Sequence, residues 1–249
     1  LAVTAAHTAG NSIYFPAGDY LVTSFPTLSD FDAIRGDGSD KTTIIYGGSG
    51  TLVTLTNKTR VNFKNIGFFI TGASGKGFQL SNCFSCSFES MVIRGNHTSV
   101  SYPTYLASVG IRLDTNTGGT MIINCLIGNF GTGLATYCIQ NYVTNCKLTT
   151  NYVGVLGSGN DNNAGLSITN SEFVSDTDTN TTDKHIYIDG AANDWWLANV
   201  WFEGADSAVV VGVSGTGGPS SFGMSNCHIS ARTYCIDLQH CRQPYLADI

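Results

Sequence analysis

A six-residue pattern that recurs along the chain constrains the fold more than any other feature. It consists of an apolar residue, any residue, Asn, a small or apolar residue, any residue and a second apolar residue. We call the Asn the marker; Ser replaces it once, and successive markers lie about 27 residues apart on average. The seven markers are Asn65, Ser90, Asn124, Asn145, Asn170, Asn199 and Asn226. A repeat of this length predicts a solenoid of stacked, similar coils.

A second apolar segment follows each marker, as in GFQL (77–80), GIRL (110–113) and HIYI (185–188). It begins nine residues after the marker in four of the seven coils. The other three coils carry insertions at 71–76, 94–109 and 174–184. All three insertions fall between the marker and the second segment, so they are expected at one corner of the solenoid. Loops along one edge of a solenoid often form its binding face, and the 94–109 insertion offers Tyr102 and Tyr105.

Apolar residues alternate with polar ones around each marker, for example at Trp195, Leu197, Val200 and Phe202. A period of two is typical of strands that bury one face. Short strands, Gly-rich turns and no helical period predict an all-β fold, a single-stranded parallel β-helix of seven or more coils with a ladder of marker Asn side chains. A single coil cannot bury its inward face, so we expect the coils to fold as one unit.

The chain has few charges, 12 Lys and Arg against 18 Asp and Glu, for a formal net charge of −6. No cluster of Lys and Arg is present, which argues against nucleic acid as the main partner. No apolar run approaches 18 residues, so we expect no insertion into a membrane.

The eight cysteines give no disulfide or metal signature. Cys83 and Cys86 form one isolated CxxC, whereas a zinc site needs two further ligands at suitable spacing. Buried free thiols are favoured over disulfides or a metal site. The segment DTDTN (176–180) resembles a Ca²⁺ loop only in its alternating acids and is expected to be a polar loop. The sequence therefore predicts no metal and no cofactor.

Two segments near the start carry a family resemblance. NSIYFPAGDYLV (11–22) and RGDGSDKTTI (35–44) resemble the opening of the pectate-lyase-like superfamily. That resemblance implies a right-handed parallel β-helix that acts on polysaccharides, as in phage tailspike and tail-fibre depolymerases, secreted pectin-active enzymes and alginate epimerases. Similarity to tailspikes further implies a homotrimer, located in a virion tail or outside the cell.

The resemblance also bears on domain organisation. Such openings usually follow a capping helix, and residues 1–10 are similar only to the end of one, so the chain is expected to be a fragment of a longer protein. We expect residues 1–249 to form one domain. Residues 1–50 would form the opening coils and residues 51–249 the repeating coils.

Outward positions of successive coils form rows along the solenoid. Two residues after the marker, one row reads Lys147, Glu172, Trp201 and His228 on consecutive coils about 4.8 Å apart. Glu203 lies one coil and two residues from Glu172, which places the backbone positions of the two glutamates roughly 8 Å apart. This separation fits the carboxylate pair of an inverting glycosidase, about 6.5–9.5 Å. The row predicts that Glu172 and Glu203 cleave a glycosidic bond, with Trp201 as the platform for a sugar ring.

Other residues complete or replace this site. Asp189 and Asp114, next to the second segment, are substitute carboxylates. Arg112, Tyr187 and His228 would orient the substrate, and Lys147 would assist binding. The resemblance leaves a second activity open, a lyase or epimerase on uronates. It would need a base and cations from Arg112, Tyr187, His185, Lys147 or His228.

Two further possibilities remain open. Lys147 and Glu172 could be a solvated ion pair, with Trp201 at a contact between subunits. Separately, the domain could be a non-catalytic adhesin or structural β-helix that binds a surface glycan without cutting it.

Overall fold

Each coil of the solenoid contains three strands separated by corners. Stacking of the coils gives the solenoid three long faces. The computed structural model describes residues 12–137, 139–158, 163–176, 178–190, 192–215 and 217–249. Every regular element in these ranges is a β-strand, and neighbouring strands on the three faces pair in parallel. Within them no helix is long and apolar enough to cross a membrane. The expected all-β, right-handed parallel β-helix of more than seven coils is confirmed.

Face 1 has ten strands: β1 (Ser12–Phe15), β3 (Ala33–Gly36), β6 (Asn62–Lys64), β9 (Ser87–Glu89), β12 (Met121–Ile123), β15 (Asn141–Thr144), β19 (Leu166–Thr169), β23 (Trp195–Ala198), β25 (Ser221–Ser225) and β27 (Gln243–Ala247). Face 2 has β2 (Gly18–Val22), β4 (Thr42–Tyr46), β7 (Gly67–Ile70), β10 (Val92–Arg94), β13 (Leu126–Gly128), β16 (Lys147–Thr149) and β20 (Glu172–Val174). Face 3 has β5 (Thr51–Thr56), β8 (Lys76–Ser81), β11 (Val109–Leu113), β14 (Thr132–Thr136), β17 (Val153–Gly157) and β21 (Lys184–Ile188).

Two long strands, β24 (Trp201–Val211) and β26 (His228–Leu238), run across the corner from face 2 to face 3 and join both into one sheet. Two short strands outside the faces, β18 (Asn163–Ala164) and β22 (Ala192–Asn193), pair with each other.

The markers form the corner between faces 1 and 2. All seven have a positive φ between 50° and 55°, in the left-handed region that Asn tolerates better than most residues. The backbone N–H of Asn145 donates to the carbonyl of Thr169 in the next coil, and the other markers make the same bond. The side-chain amide of Asn226 donates to Asn199, and that of Asn199 to Asn170, so a side-chain ladder is present there.

The marker turn sends the following residue into the core. These seven residues are all buried: Ile66, Met91, Cys125, Cys146, Ser171, Val200 and Cys227. Aromatic rings stack from coil to coil beside them. Phe63 and Phe88 lie 5.4 Å apart with an interplanar angle of 6°, and Phe173 and Phe202 lie 5.0 Å apart. Trp195 was expected in the core and is 1% exposed.

All three insertions lie at the corner between faces 2 and 3, as the spacing predicts. The 94–109 and 174–184 insertions contact each other, since Nε2 of His97 lies 2.8 Å from the carbonyl oxygen of Thr181. His97 is completely buried by this contact. The insertions are therefore packed against each other along one edge of the solenoid.

The described cysteines are all free. Five are buried, including Cys83 and Cys86, whereas Cys235 is exposed and Cys241 is partly exposed. The expectation of free thiols is confirmed for these seven, and the expectation of burial is wrong for Cys235. Cys138 and the expected helix end at 1–10 lie outside the described residues.

Candidate active site

The row predicted two residues after the marker exists on face 2. Strand register pairs Lys147 with Glu172, Glu172 with Trp201, and Trp201 with His228. These side chains therefore project from four adjacent strands, β16, β20, β24 and β26. These four side chains point outward because side chains alternate along a strand and the residue just before each of them, which follows the marker, points inward.

An ion pair occupies the first half of this row. Nζ of Lys147 lies 3.3 Å from Oε2 of Glu172, and the two side chains are 47% and 56% exposed. An ion pair this open to water contributes little to stability. Both groups are thus accessible to a ligand at low cost to the fold.

The second half of the row centres on Trp201. Its indole Nε1 donates to Oε2 of Glu203 at 3.2 Å, and the imidazole of His228 stacks on the indole with ring centroids 3.9 Å apart. The indole is 45% exposed. One side of Trp201 is therefore covered by His228, and its N–H orients the carboxylate of Glu203.

Glu203 stays on the same face as Glu172. It pairs with Val174 in the preceding coil and with Ser230 in the following coil. Because β24 continues past Glu203 as a strand, the corner does not turn this side chain away. The two glutamates lie one coil and two residues apart, as expected.

An open groove of about 450 Å³ follows the marker corner along the solenoid axis. Asn124, Asn145 and Asn170 contribute to its lining, together with Lys147 and Glu172. Amide and charged groups therefore line a path that crosses successive coils. Such a path suits a linear polymer that contacts one coil after another.

The residues predicted around the second segment lie on face 3 instead. Nε of Arg112 donates to Oδ1 of Asp114 at 2.7 Å, and its guanidinium lies 4.6 Å from the ring centroid of Tyr137. Nζ of Lys184 lies 5.0 Å from the ring centroid of Tyr187. Asp189 follows β21 on the same face, and its backbone N–H donates to the carbonyl of Gly157.

The structure does not bring this face 3 group together with the two glutamates, because a corner separates faces 2 and 3. An orienting role for Arg112 and Tyr187 at Glu172 therefore has no geometric support.

His185 was considered as a lyase residue, but it is 2% exposed and packs against Phe173 and Phe202. Its Nε2 lies 2.8 Å from the carbonyl oxygen of Glu203. Burial lowers the pKa of His185 to about 4, which this hydrogen bond offsets only in part. A substrate on the surface cannot reach this imidazole.

One group of polar residues was missed by the sequence reasoning. Tyr152, Asp183 and Asp206 each lie two residues before the second segment, on adjacent coils at the insertion corner. Burial, followed by the carboxylate of Asp183 and a hydrogen bond with Tyr102, raises the pKa of Tyr152 to about 12. The hydroxyl of Thr233 donates to Asp206 at 2.7 Å. The sequence signal for this group is a polar residue two positions before the second segment in three successive coils.

No set of three or more His, Cys, Asp or Glu residues in the described part of the chain could hold a metal ion. In the DTDTN segment, the carboxylates of Asp176 and Asp178 accept backbone N–H groups two residues further on, at 2.9 and 2.8 Å. These are local turn contacts of a polar loop. Thr177 lies outside the described residues.

Comparison with solved structures supports the fold. The protein ORF18 of Geobacillus virus E2 matches with a TM-score of 0.60 and 14% identity, over 98% of this chain and 55% of the viral protein. A pectin methylesterase in complex with a hexasaccharide matches with a TM-score of 0.51 and 11% identity, over 80% of this chain and 73% of the enzyme. The chain thus spans about half the length of the viral protein. No protein-family model and no curated protein matches the chain.

These likenesses define the class of protein: the chain is a right-handed parallel β-helix. The parallel β-helix that the resemblance of residues 11–22 and 35–44 implies is confirmed.

Proposed function

We propose that face 2 binds a polysaccharide chain and cleaves its glycosidic bonds, with Glu172 and Glu203 as the acid and base. The observation that carries the proposal is the row on face 2, where two carboxylates one coil apart flank an exposed indole. Their expected separation of roughly 8 Å leaves room for a water molecule between carboxylate and sugar.

The chemistry follows from this arrangement. One carboxyl group protonates the glycosidic oxygen as the bond to the anomeric carbon breaks, while the other carboxylate takes a proton from the attacking water. Trp201 would support a sugar ring on its free side. Lys147 and His228 would donate hydrogen bonds to sugar hydroxyl groups. The groove along the marker corner would hold the neighbouring sugars of the chain.

The test is to incubate the protein with bacterial capsule, O-antigen and plant polysaccharides and to measure reducing ends together with the absorbance of unsaturated uronates. We expect reducing ends without absorbance. Glu172→Gln and Glu203→Gln should each lower the rate about 100-fold or more. Glu89→Gln is the matched control, because Glu89 also pairs with a lysine, Lys64 at 2.5 Å, but lies on face 1. Full activity in both face 2 variants would contradict the assignment.

We further propose a phage tailspike-like role, with the protein in a virion tail or outside the cell and assembled as a homotrimer. The likeness to a viral protein and the opening motifs support this reading. Sedimentation equilibrium of the purified protein tests the trimer directly.

A binding-only role is the second candidate, supported by one observation. His228 covers one side of Trp201, and both glutamates stand in the open and not in a site that excludes water. Binding of a polysaccharide without any product would favour an adhesin. Absorbance of unsaturated uronates, with sensitivity to Arg112 or Tyr187, would instead favour the lyase or epimerase.

A further inference from the structure

The last six strands of face 1 carry no charged side chain on their outward side. The nearest charge is Asp194, which is exposed just before β23 and accepts a hydrogen bond from the hydroxyl of Ser221 at 2.6 Å. One outward row reads Met121, Tyr142, Ser167, Trp196, Gly223 and Tyr245. The row two residues further along each strand contains only Ile, Thr, Ser and Ala. The earlier strands of the same face differ, because Arg35, Lys64 and Glu89 project from them. In a chain with a net charge of −6, this surface is unusual.

Large side chains of this row are exposed. The exposed fractions are 39% for Tyr142, 42% for Trp196 and 55% for Tyr245, and Met121 is similar. Aromatic residues on a flat sheet can contact the apolar face of a ring-shaped ligand. The row therefore offers a run of aromatic surface along the solenoid axis.

Gly223 fixes the position of the indole of Trp196. A Cβ atom at Gly223 would come within 2.1 Å of Cε3 of Trp196, so the indole occupies the space of the missing side chain. The indole also stacks on Tyr245, with ring centroids 5.6 Å apart and an interplanar angle of 22°. Trp196 thus leans toward Gly223 and away from Ser167.

Ser167 lies between Tyr142 and Trp196 in this row, and its small side chain leaves a gap between the two aromatic residues. Tyr142 and Trp196 project from strands that lie two apart, about 9.6 Å along the axis. Hydroxyl groups line the adjacent row, where Oγ1 of Thr169 donates to Oγ1 of Thr144 at 2.9 Å. The gap therefore combines aromatic surface with neutral hydrogen-bonding groups.

We propose that this uncharged face is a second, non-catalytic binding surface for a neutral polysaccharide. Aromatic and hydroxyl groups match a neutral sugar, whereas no cation of these rows can pair with a uronate. The net negative charge of the chain also repels polyanions. The inference goes beyond cleavage on face 2 and does not depend on it.

The experiment is native affinity electrophoresis in gels containing dextran, laminarin, hydroxyethylcellulose or galactomannan, with polygalacturonate as the charged comparison. The protein carries Glu172→Gln and Glu203→Gln, so that the polymer in the gel stays intact. We expect at least one neutral polymer to retard the protein. Trp196→Ala and Tyr142→Ala should each weaken the affinity about tenfold, while Trp196→Phe should retain most of it.

Tyr234→Ala is the matched control, since this aromatic residue is 55% exposed and lies on β26, outside face 1 and outside the site proposed on face 2. It should leave the retardation within about twofold. Retardation by no neutral polymer, or equal losses in the Trp196 and Tyr234 variants, would overturn the proposal. So would sedimentation data in which Trp196→Ala dissociates an oligomer while glycan binding is unchanged, because the face would then join copies of the chain. A protein that binds through Trp196 but cleaves nothing would refute only the function proposed for face 2.

Discussion

Each marker asparagine places an L-residue in the left-handed backbone region, where a Cβ atom is unfavourable. Asn is tolerated there because its short polar side chain can hydrogen-bond locally. The strand alternation inverts at this point, so that the next residue is buried and the one after it faces outward, where Lys147, Glu172, Trp201 and His228 are exposed. One residue type at one position therefore determines which side chains reach face 2.

Asn145 provides a test at this scale. Asn145→Ala should lower the free energy of unfolding by about 1 kcal/mol, because Ala is less well tolerated than Asn at a positive φ. Asn145→Gly, which adopts a positive φ without strain, should be close to the wild type. Urea denaturation measures both. Equal losses for the two variants would show that backbone conformation is not the cause.

The lowered pKa of His185 predicts how the free energy of unfolding depends on pH. The folded chain protonates His185 only near pH 4, because burial lowers its pKa, whereas an unfolded chain does so near pH 6.5. Protons therefore favour the unfolded state between these values. Stability should be complete above pH 6.5 and fall by roughly 1.4 kcal/mol per pH unit below it. Burial lowers the pKa of His97 in the same direction.

Denaturation at pH 6.5 and pH 5 measures this loss. His185→Gln cannot titrate in this range and can still donate to the carbonyl of Glu203, so its loss should be smaller. The same pH dependence in wild type and variant would rule out His185 as the cause.

At the scale of elements, the inward side chains of successive coils stack on residues of similar type in the neighbouring coil. Phe63 and Phe88 lie face to face across two strands of face 1, and Phe78 of face 3 contacts Phe88 edge-on at 5.0 Å. The stack holds neighbouring coils together by packing, in addition to the backbone ladder.

Phe88→Ala should therefore lower the free energy of unfolding by about 3–5 kcal/mol, since it removes a fully buried ring and leaves a cavity. Phe84→Ala is the control, because Phe84 lies four residues earlier and is 42% exposed. Its effect should be below about 1 kcal/mol. Guanidinium denaturation followed by circular dichroism compares the two, and similar losses would argue against the core stack.

At the scale of the whole molecule, the three faces share one continuous core from β1 to β26. Each coil buries its inward side only against its neighbours, so the stability of a coil depends on the rest of the array. The tryptophans lie in the C-terminal coils, at 195, 196 and 201, and report on that end alone.

This arrangement predicts one cooperative transition. Phe88→Ala, in the N-terminal half, should shift the transition seen by tryptophan fluorescence as far as the one seen by circular dichroism. Unchanged fluorescence with a shifted dichroism signal would mean that the two ends unfold separately.

The sequence by itself determined the coils, their inward residues and the row of Lys147, Glu172, Trp201 and His228. These follow from local rules, because a period of two and a left-handed marker decide the direction of each side chain within a few residues. The insertions were predicted at one corner for the same reason, since chain length between two recognisable strands is a local property.

Only the tertiary structure decided what meets across corners and coils. It placed Arg112 and Tyr187 on face 3 and buried His185 under Glu203. It also joined His97 to Thr181, 84 residues away, and laid Trp196 over Gly223. Such contacts depend on how corners turn and how distant coils align. Hydrogen bonds and packing between coils set those features, and a local pattern of residues does not encode them.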